Sequence, residues 1–100
     1  MFCIYILYST SSDKYYIGYT NDITRRMFMH NNPIDNKYTS KHIPWELKKW
    51  FEVGLNKTIA LKMERKIKNM KSRKFIEKLL IPNEGEKIFK DLLQKIDPDF

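Results

Sequence analysis

Five side chains of this 100-residue sequence could act together on a phosphodiester. Tyr5 and Tyr16 lie eleven residues apart, each in a short run rich in aromatic and β-branched residues. Arg26 and His30 stand at i and i+4, which on a helix puts them on one face. Glu64 sits beside an apolar helical stripe, where a carboxylate is unusual. Coming from separate elements, these groups suit one-metal hydrolysis. Glu64 would hold a divalent cation on a phosphate oxygen. Arg26 would brace the developing negative charge. A tyrosine or a histidine would take a proton from water. Each residue taken alone has a plainer reading: Tyr5 and Tyr16 as strand packing, Arg26 and His30 as a solvated pair, Glu64 as an i, i+4 partner of Lys68. His42 reads as a loop histidine.

The elements that must position them follow from pattern and punctuation. Phe2–Tyr8 and Tyr15–Tyr19 read as two strands joined by the polar turn Ser9–Lys14, an antiparallel hairpin. Thr20-Asn21-Asp22 offers capping side chains, and Ile23, Met27 and His30 recur with helical spacing to about His30. Asn31-Asn32-Pro33 stops that helix, and residues 31–45 read as a long polar loop closing at Pro44. Trp45 to Val53 reads as a third strand, with Trp45, Leu47 and the Trp50-Phe51 pair as its inward candidates. Asn56 or Thr58 caps a second helix with the stripe Ala60, Met63, Ile67 and Met70. Ser72 caps a third, carrying Phe75, Ile76, Leu79 and Leu80. Pro82-Asn83 breaks the chain, and Asn83 with Glu86 makes a capping-box-like start to a last helix. Met27, Met29, Met63 and Met70 are expected core fillers. The order β-β-α-β-α-α-α predicts a mixed α/β (α+β) fold, a small sheet flanked by helices.

The ordered motifs carry a resemblance. Ile4-Tyr5 followed by Tyr16-Ile17-Gly18 resembles the signature pair of the GIY-YIG nuclease superfamily. Asp22 to Asn31, Tyr38-Thr39-Ser40-Lys41, Pro44 to Leu47 and Ala60 to Glu64 continue the match. The pattern is most similar to small stand-alone members resembling the N-terminal nuclease domain of the bacterial excision-repair endonuclease. It covers residues 2 to about 81. The resemblance implies a three-stranded antiparallel sheet flanked by helices and a metal-dependent DNA endonuclease, structure-guided and linked to DNA repair or recombination. It implies Tyr5, Tyr16, Arg26, His30 and Glu64 as the functional residues, Gly18 for close backbone approach, and Glu64 as the protein ligand of Mg²⁺ or Mn²⁺. Cys3 and Tyr19 stand where many members carry glycine and lysine. The change at 19 would remove a cation near the attacking water, a role Lys41 or His42 could take.

Composition bounds the rest. With 19 Lys/Arg against 12 Asp/Glu the net charge is +7, and 42% hydrophobic residues argue for a packed core. The lone Cys3 excludes an intrachain disulfide and a cysteine-based zinc framework. No apolar run has the length of a membrane span, and the apolar start has neither a preceding basic segment nor a following cleavage site, so a cytoplasmic protein is expected. Residues 1–81 hold 16 basic and 7 acidic side chains, whereas residues 82–100 hold 3 and 5. The sequence therefore reads as a nuclease-like domain over 1–81 and a helical extension over 82–100. The basic run Lys57–Lys78 points to DNA as partner, with Lys41, Lys62, Lys66 and Lys68 as expected phosphate contacts. Two other classes compete with an enzyme: a nucleic-acid-binding module without turnover, and an interaction module. For the latter, Ile88, Phe89, Leu92, Leu93 and Ile96 form an apolar stripe that could meet a second copy or a protein partner.

Overall fold

The computed structural model describes residues 1–32 and 39–99. Strand β1 (Phe2–Ser9) is the middle of a three-stranded sheet, flanked by β2 (Lys14–Thr20) and β3 (Trp45–Gly54). Both pairings are antiparallel. Being central, β1 is covered on both faces, which is why its sequence is a continuous apolar run rather than an alternating one.

The two faces carry different helices. Ile4 and Ile6 face one core with Ile17, Phe51, Val53 and the stripes of α2 (Lys57–Asn69), α3 (Arg73–Leu79) and α4 (Glu84–Ile96). Tyr5, Leu7 and Trp45 face a smaller core with Tyr16, Leu47 and the Ile23 and Met27 side chains of α1 (Ile23–Asn31). Met29 lies on the outer side of α1, exposed, so it is no core filler. A short 3-10 turn, Thr39–His42, interrupts the expected loop before β3. Pro33 and Tyr38 lie outside the described residues.

Strict alternation would put Trp45, Leu47, Phe51 and Val53 on one face. A register shift opposite Ile6 and Leu7 changes the parity: Trp45 and Leu47 meet α1, whereas Phe51 and Val53 enter the other core. Trp50 does not turn inward; it is half exposed.

The caps hold as the sequence suggests. The Asn56 carboxamide accepts the Thr58 and Ile59 backbone N–H groups at 2.8 and 3.4 Å. Ser72 Oγ accepts the Phe75 N–H at 3.1 Å. The Glu86 carboxylate accepts the Asn83 N–H at 2.6 Å and also meets the Lys49 ammonium, which ties the start of α4 to β3. The apolar stripe of α4 is spent within the chain, which removes it as a partner surface. Phe89, Leu92 and Leu93 are buried, Ile88 and Ile96 pack against the same core, and the Phe89 ring stacks on Phe51 at 4.2 Å. Among the described residues no helix is long and apolar enough to cross a membrane.

Candidate active site

Tyr5 and Gly18 are directly opposed across the β1–β2 ladder. A Cβ at position 18 would overlap the Tyr5 hydroxyl and ring, so the missing side chain lets the phenol lie across β2. Gly18 thus accommodates a side chain. Tyr16, two residues earlier, shares this face, and its ring centroid lies 6.4 Å from that of Tyr5. Tyr19 points to the opposite face, half-buried beside Phe2 at 6.4 Å. A lysine there would project away from Tyr5, so the departure at 19 leaves this side of the sheet untouched.

Helix α1 brings the next two groups. The Asp22 carboxylate accepts the Arg25 N–H at 3.1 Å and starts the helix. Two turns on, His30 is 3% exposed, and its Nε2 shares a 2.8 Å hydrogen bond with the hydroxyl of Tyr5, itself 2% exposed. The imidazole also meets the Tyr16 ring edge-on at 5.1 Å. The helix end that carries it is held from outside the set: the Asn31 carboxamide accepts the Trp45 N–H at 2.6 Å and donates to the Trp45 carbonyl at 3.1 Å, clamping the end of α1 to the start of β3. Sequence reasoning gave Asn31 only a part in stopping the helix, whereas it is the last residue of α1 and clamps it to β3; an amide-bearing residue directly after a candidate histidine was the available signal.

Burial dominates the protonation of the pair. It lowers the His30 pKa to about 4, with the Arg26 charge adding to the effect, so the imidazole is neutral at pH 7. Burial raises the Tyr5 pKa as well, and the neighbouring Tyr16 pushes the same way; the Arg26 charge opposes this and is outweighed. Both groups rest neutral. His30 Nδ1 is buried and has no hydrogen-bond partner among the described residues.

Arg26 makes no ion pair among the described residues. It lines a small polar cleft with Thr20, Asp22 and Arg25. Glu64, half-buried on α2, is close enough for its charge to add to the upward push on Tyr5. It pairs with Lys68 at 3.4 Å, and the Lys68 ammonium lies 5.0 Å from the Tyr16 ring centroid. Tyr5, Tyr16 and His30 are thus in direct contact, and Arg26 and Glu64 lie near enough for their charges to act on Tyr5.

The expected phosphate contacts are not one surface. Lys68 joins the Tyr16 side, whereas Lys62 and Lys66 line a separate pocket with Arg65 and Asn69 on the other side of α2. Lys41 is exposed on the 3-10 turn. His42 shares a 2.7 Å hydrogen bond with Ser12 Oγ and packs on Trp45, a loop role as its plainer reading has it.

Residues 1–78 match the GIY-YIG catalytic domain, and the chain belongs to that family. It is similar to UPF0213 proteins of Bacillus cereus, Bacillus thuringiensis subsp. konkukian and Bacillus anthracis. Each is 35% identical over 68 residues, covering 68% of this chain and 69% of the relative. No solved structure matches the chain. Family membership makes this a nuclease-type domain with DNA as the class of partner.

Proposed function

We propose that this chain is a divalent-metal-dependent DNA endonuclease whose proton acceptor is the buried Tyr5–His30 pair. The 2.8 Å hydrogen bond between them carries the proposal. A lone neutral phenol is a poor base at pH 7, and burial makes a standing phenolate less accessible still. The imidazole gives the phenolic proton a destination. As water attacks phosphorus, its proton passes to the Tyr5 oxygen while the Tyr5 proton passes to His30 Nε2, and the P–O bond to the leaving oxygen breaks. Tyr16 helps orient the water, and Arg26, lacking an ion pair among the described residues, braces the phosphate oxygens. No group of three or more His, Cys, Asp or Glu converges among the described residues. One carboxylate is enough to hold Mg²⁺ or Mn²⁺, which keep most of their waters and take substrate phosphate as ligand. Glu64 would hold that ion, which supplies positive charge at the scissile phosphate.

The test is incubation with branched, flapped, nicked and duplex DNA, in magnesium or in chelator. Cleavage requires metal, and Glu64→Gln abolishes it while folding and DNA binding persist. Wild-type cleavage rates in Glu64→Gln would sink the assignment. Tight, metal-independent binding with no cleavage of any substrate would leave a binding module instead.

A further inference from the structure

A groove of about 490 Å³ runs between the outer edge of β2 and the junction of α2 with α3. It shares Tyr16 and Lys68 with the candidate active site and leads away from it. Its floor is apolar, from Tyr15, Ile17, Ile67 and Ile76. Its rim is cationic, from Lys14, Lys68, Lys71 and Arg73, and Asp13 adds a carboxylate at one end. Asp13 is neutralised where it stands: Arg73 donates to its carboxylate at 2.7 Å and to its carbonyl at 2.9 Å, and Tyr8 donates at 2.5 Å. The Arg73 guanidinium also lies 5.1 Å from the Tyr15 ring centroid and fixes that wall. Lys14 and Lys71 make no ion pair among the described residues and keep their charge for a ligand.

Lys71 is held with φ at 48°, in the left-handed region that glycine or asparagine occupies more readily. Its place at the α2–α3 turn is therefore not a backbone preference of lysine. An apolar floor under a ring of cations matches a nucleotide, whose base is apolar on its faces and whose phosphate is anionic. The volume is that of a small-ligand site, on the scale of one nucleotide. Resting on the nuclease function proposed above, we infer that this groove holds one unpaired nucleotide of the cleaved strand. Its phosphate lies among Lys14, Lys68 and Lys71, and its base lies on the Tyr15–Ile17–Ile76 floor. The preferred substrate then carries a single-stranded segment next to the cut.

The measurement is fluorescence anisotropy of the full chain, in EDTA, with a labelled blunt duplex and with the same duplex bearing a single-stranded overhang. Wild-type protein binds the overhang substrate several-fold more tightly. The pair Lys14→Gln and Lys71→Asn removes that preference and lowers overhang affinity roughly tenfold, with a salt slope reduced by about 0.7 for the one lost single-strand phosphate. Thermal unfolding of Lys71→Asn occurs at or above the wild-type temperature, because asparagine suits the backbone there. Lys87→Gln on α4, an equal change of charge per site, leaves affinity and preference unaltered. Binding without preference, or an equal loss in Lys87→Gln, overturns the groove and spares the nuclease. No binding to any DNA overturns both.

Discussion

At the scale of single residues, the site consists of two polar groups buried together and kept neutral. His30 binds a proton less readily folded than unfolded, its pKa falling from 6.5 to about 4. The stability tied to its neutral form is complete above pH 6.5 and is lost as pH falls through 4, about 3 kcal/mol in all. Urea unfolding of the wild type between pH 7 and 4 should lose stability more steeply than that of His30→Gln, which has nothing to titrate there; parallel profiles would remove the buried imidazole as the cause. The same neutrality shapes the rate. With neutral His30 receiving the proton, cleavage should be level from about pH 5.5 upward and fall only as pH approaches 4. A rate that keeps rising above pH 7.5 would point to a free phenolate instead. Tyr5→Phe should lower the rate roughly 10²- to 10⁴-fold. Gly18 acts by absence of a side chain. Gly18→Ala should destabilise the fold and displace the Tyr5 hydroxyl. Adding Tyr5→Phe removes part of the clash, so the double-mutant cycle should return a coupling of roughly 0.5–3 kcal/mol. Simple additivity would place the Tyr5 ring elsewhere.

At the scale of elements, each helix has a separate task. Helix α1 delivers Arg26 and His30 on one face, and its end is pinned to β3 through Asn31 and Trp45. Helix α2 delivers Glu64 and Lys68 from beside the stripe that anchors it, Ala60, Met63 and Ile67. Its first turn depends on Asn56. Asn56→Ala should lower stability by about 1 kcal/mol, seen as a shifted urea midpoint at unchanged slope. No shift would mean that packing alone sets the start of the helix. Helix α3 is short, and it contributes Arg73, which locks the Asp13 turn of the hairpin and thereby the edge strand carrying Tyr16.

At the scale of the whole molecule, the last helix completes the core on which the other elements rest. Phe89, Leu92 and Leu93 close the face formed by Phe51, Val53 and Leu79. Removing residues 84–100 should abolish cooperative unfolding, because it exposes that face along with the Phe51 ring. Circular dichroism melts of the shortened and full chains make the comparison; a shortened chain that still melts in one sharp step would make α4 dispensable. The charge asymmetry has a related sense. The acidic end of the chain supplies Glu86, which meets Lys49 on β3, so part of its negative charge is consumed inside the fold.

The sequence by itself determined whatever depends on local order. Cap residues at Asn56 and Ser72, the apolar run of a central strand, the helical stripes and the hairpin turn are written in neighbouring residues, and all appear where they are read. The ordered motifs also named the family, because two tyrosines, an arginine, a histidine and a glutamate rarely fall at those separations by chance. The tertiary structure decided what depends on approach between distant segments. The parity change in β3 arises from a register shift against β1, which no periodicity in β3 announces. The fate of the α4 stripe depended on whether Phe51 was there to meet it. The neutrality of Tyr5 and His30 came from burial between two strands and a helix, since desolvation is a property of the assembled surroundings and not of a residue type.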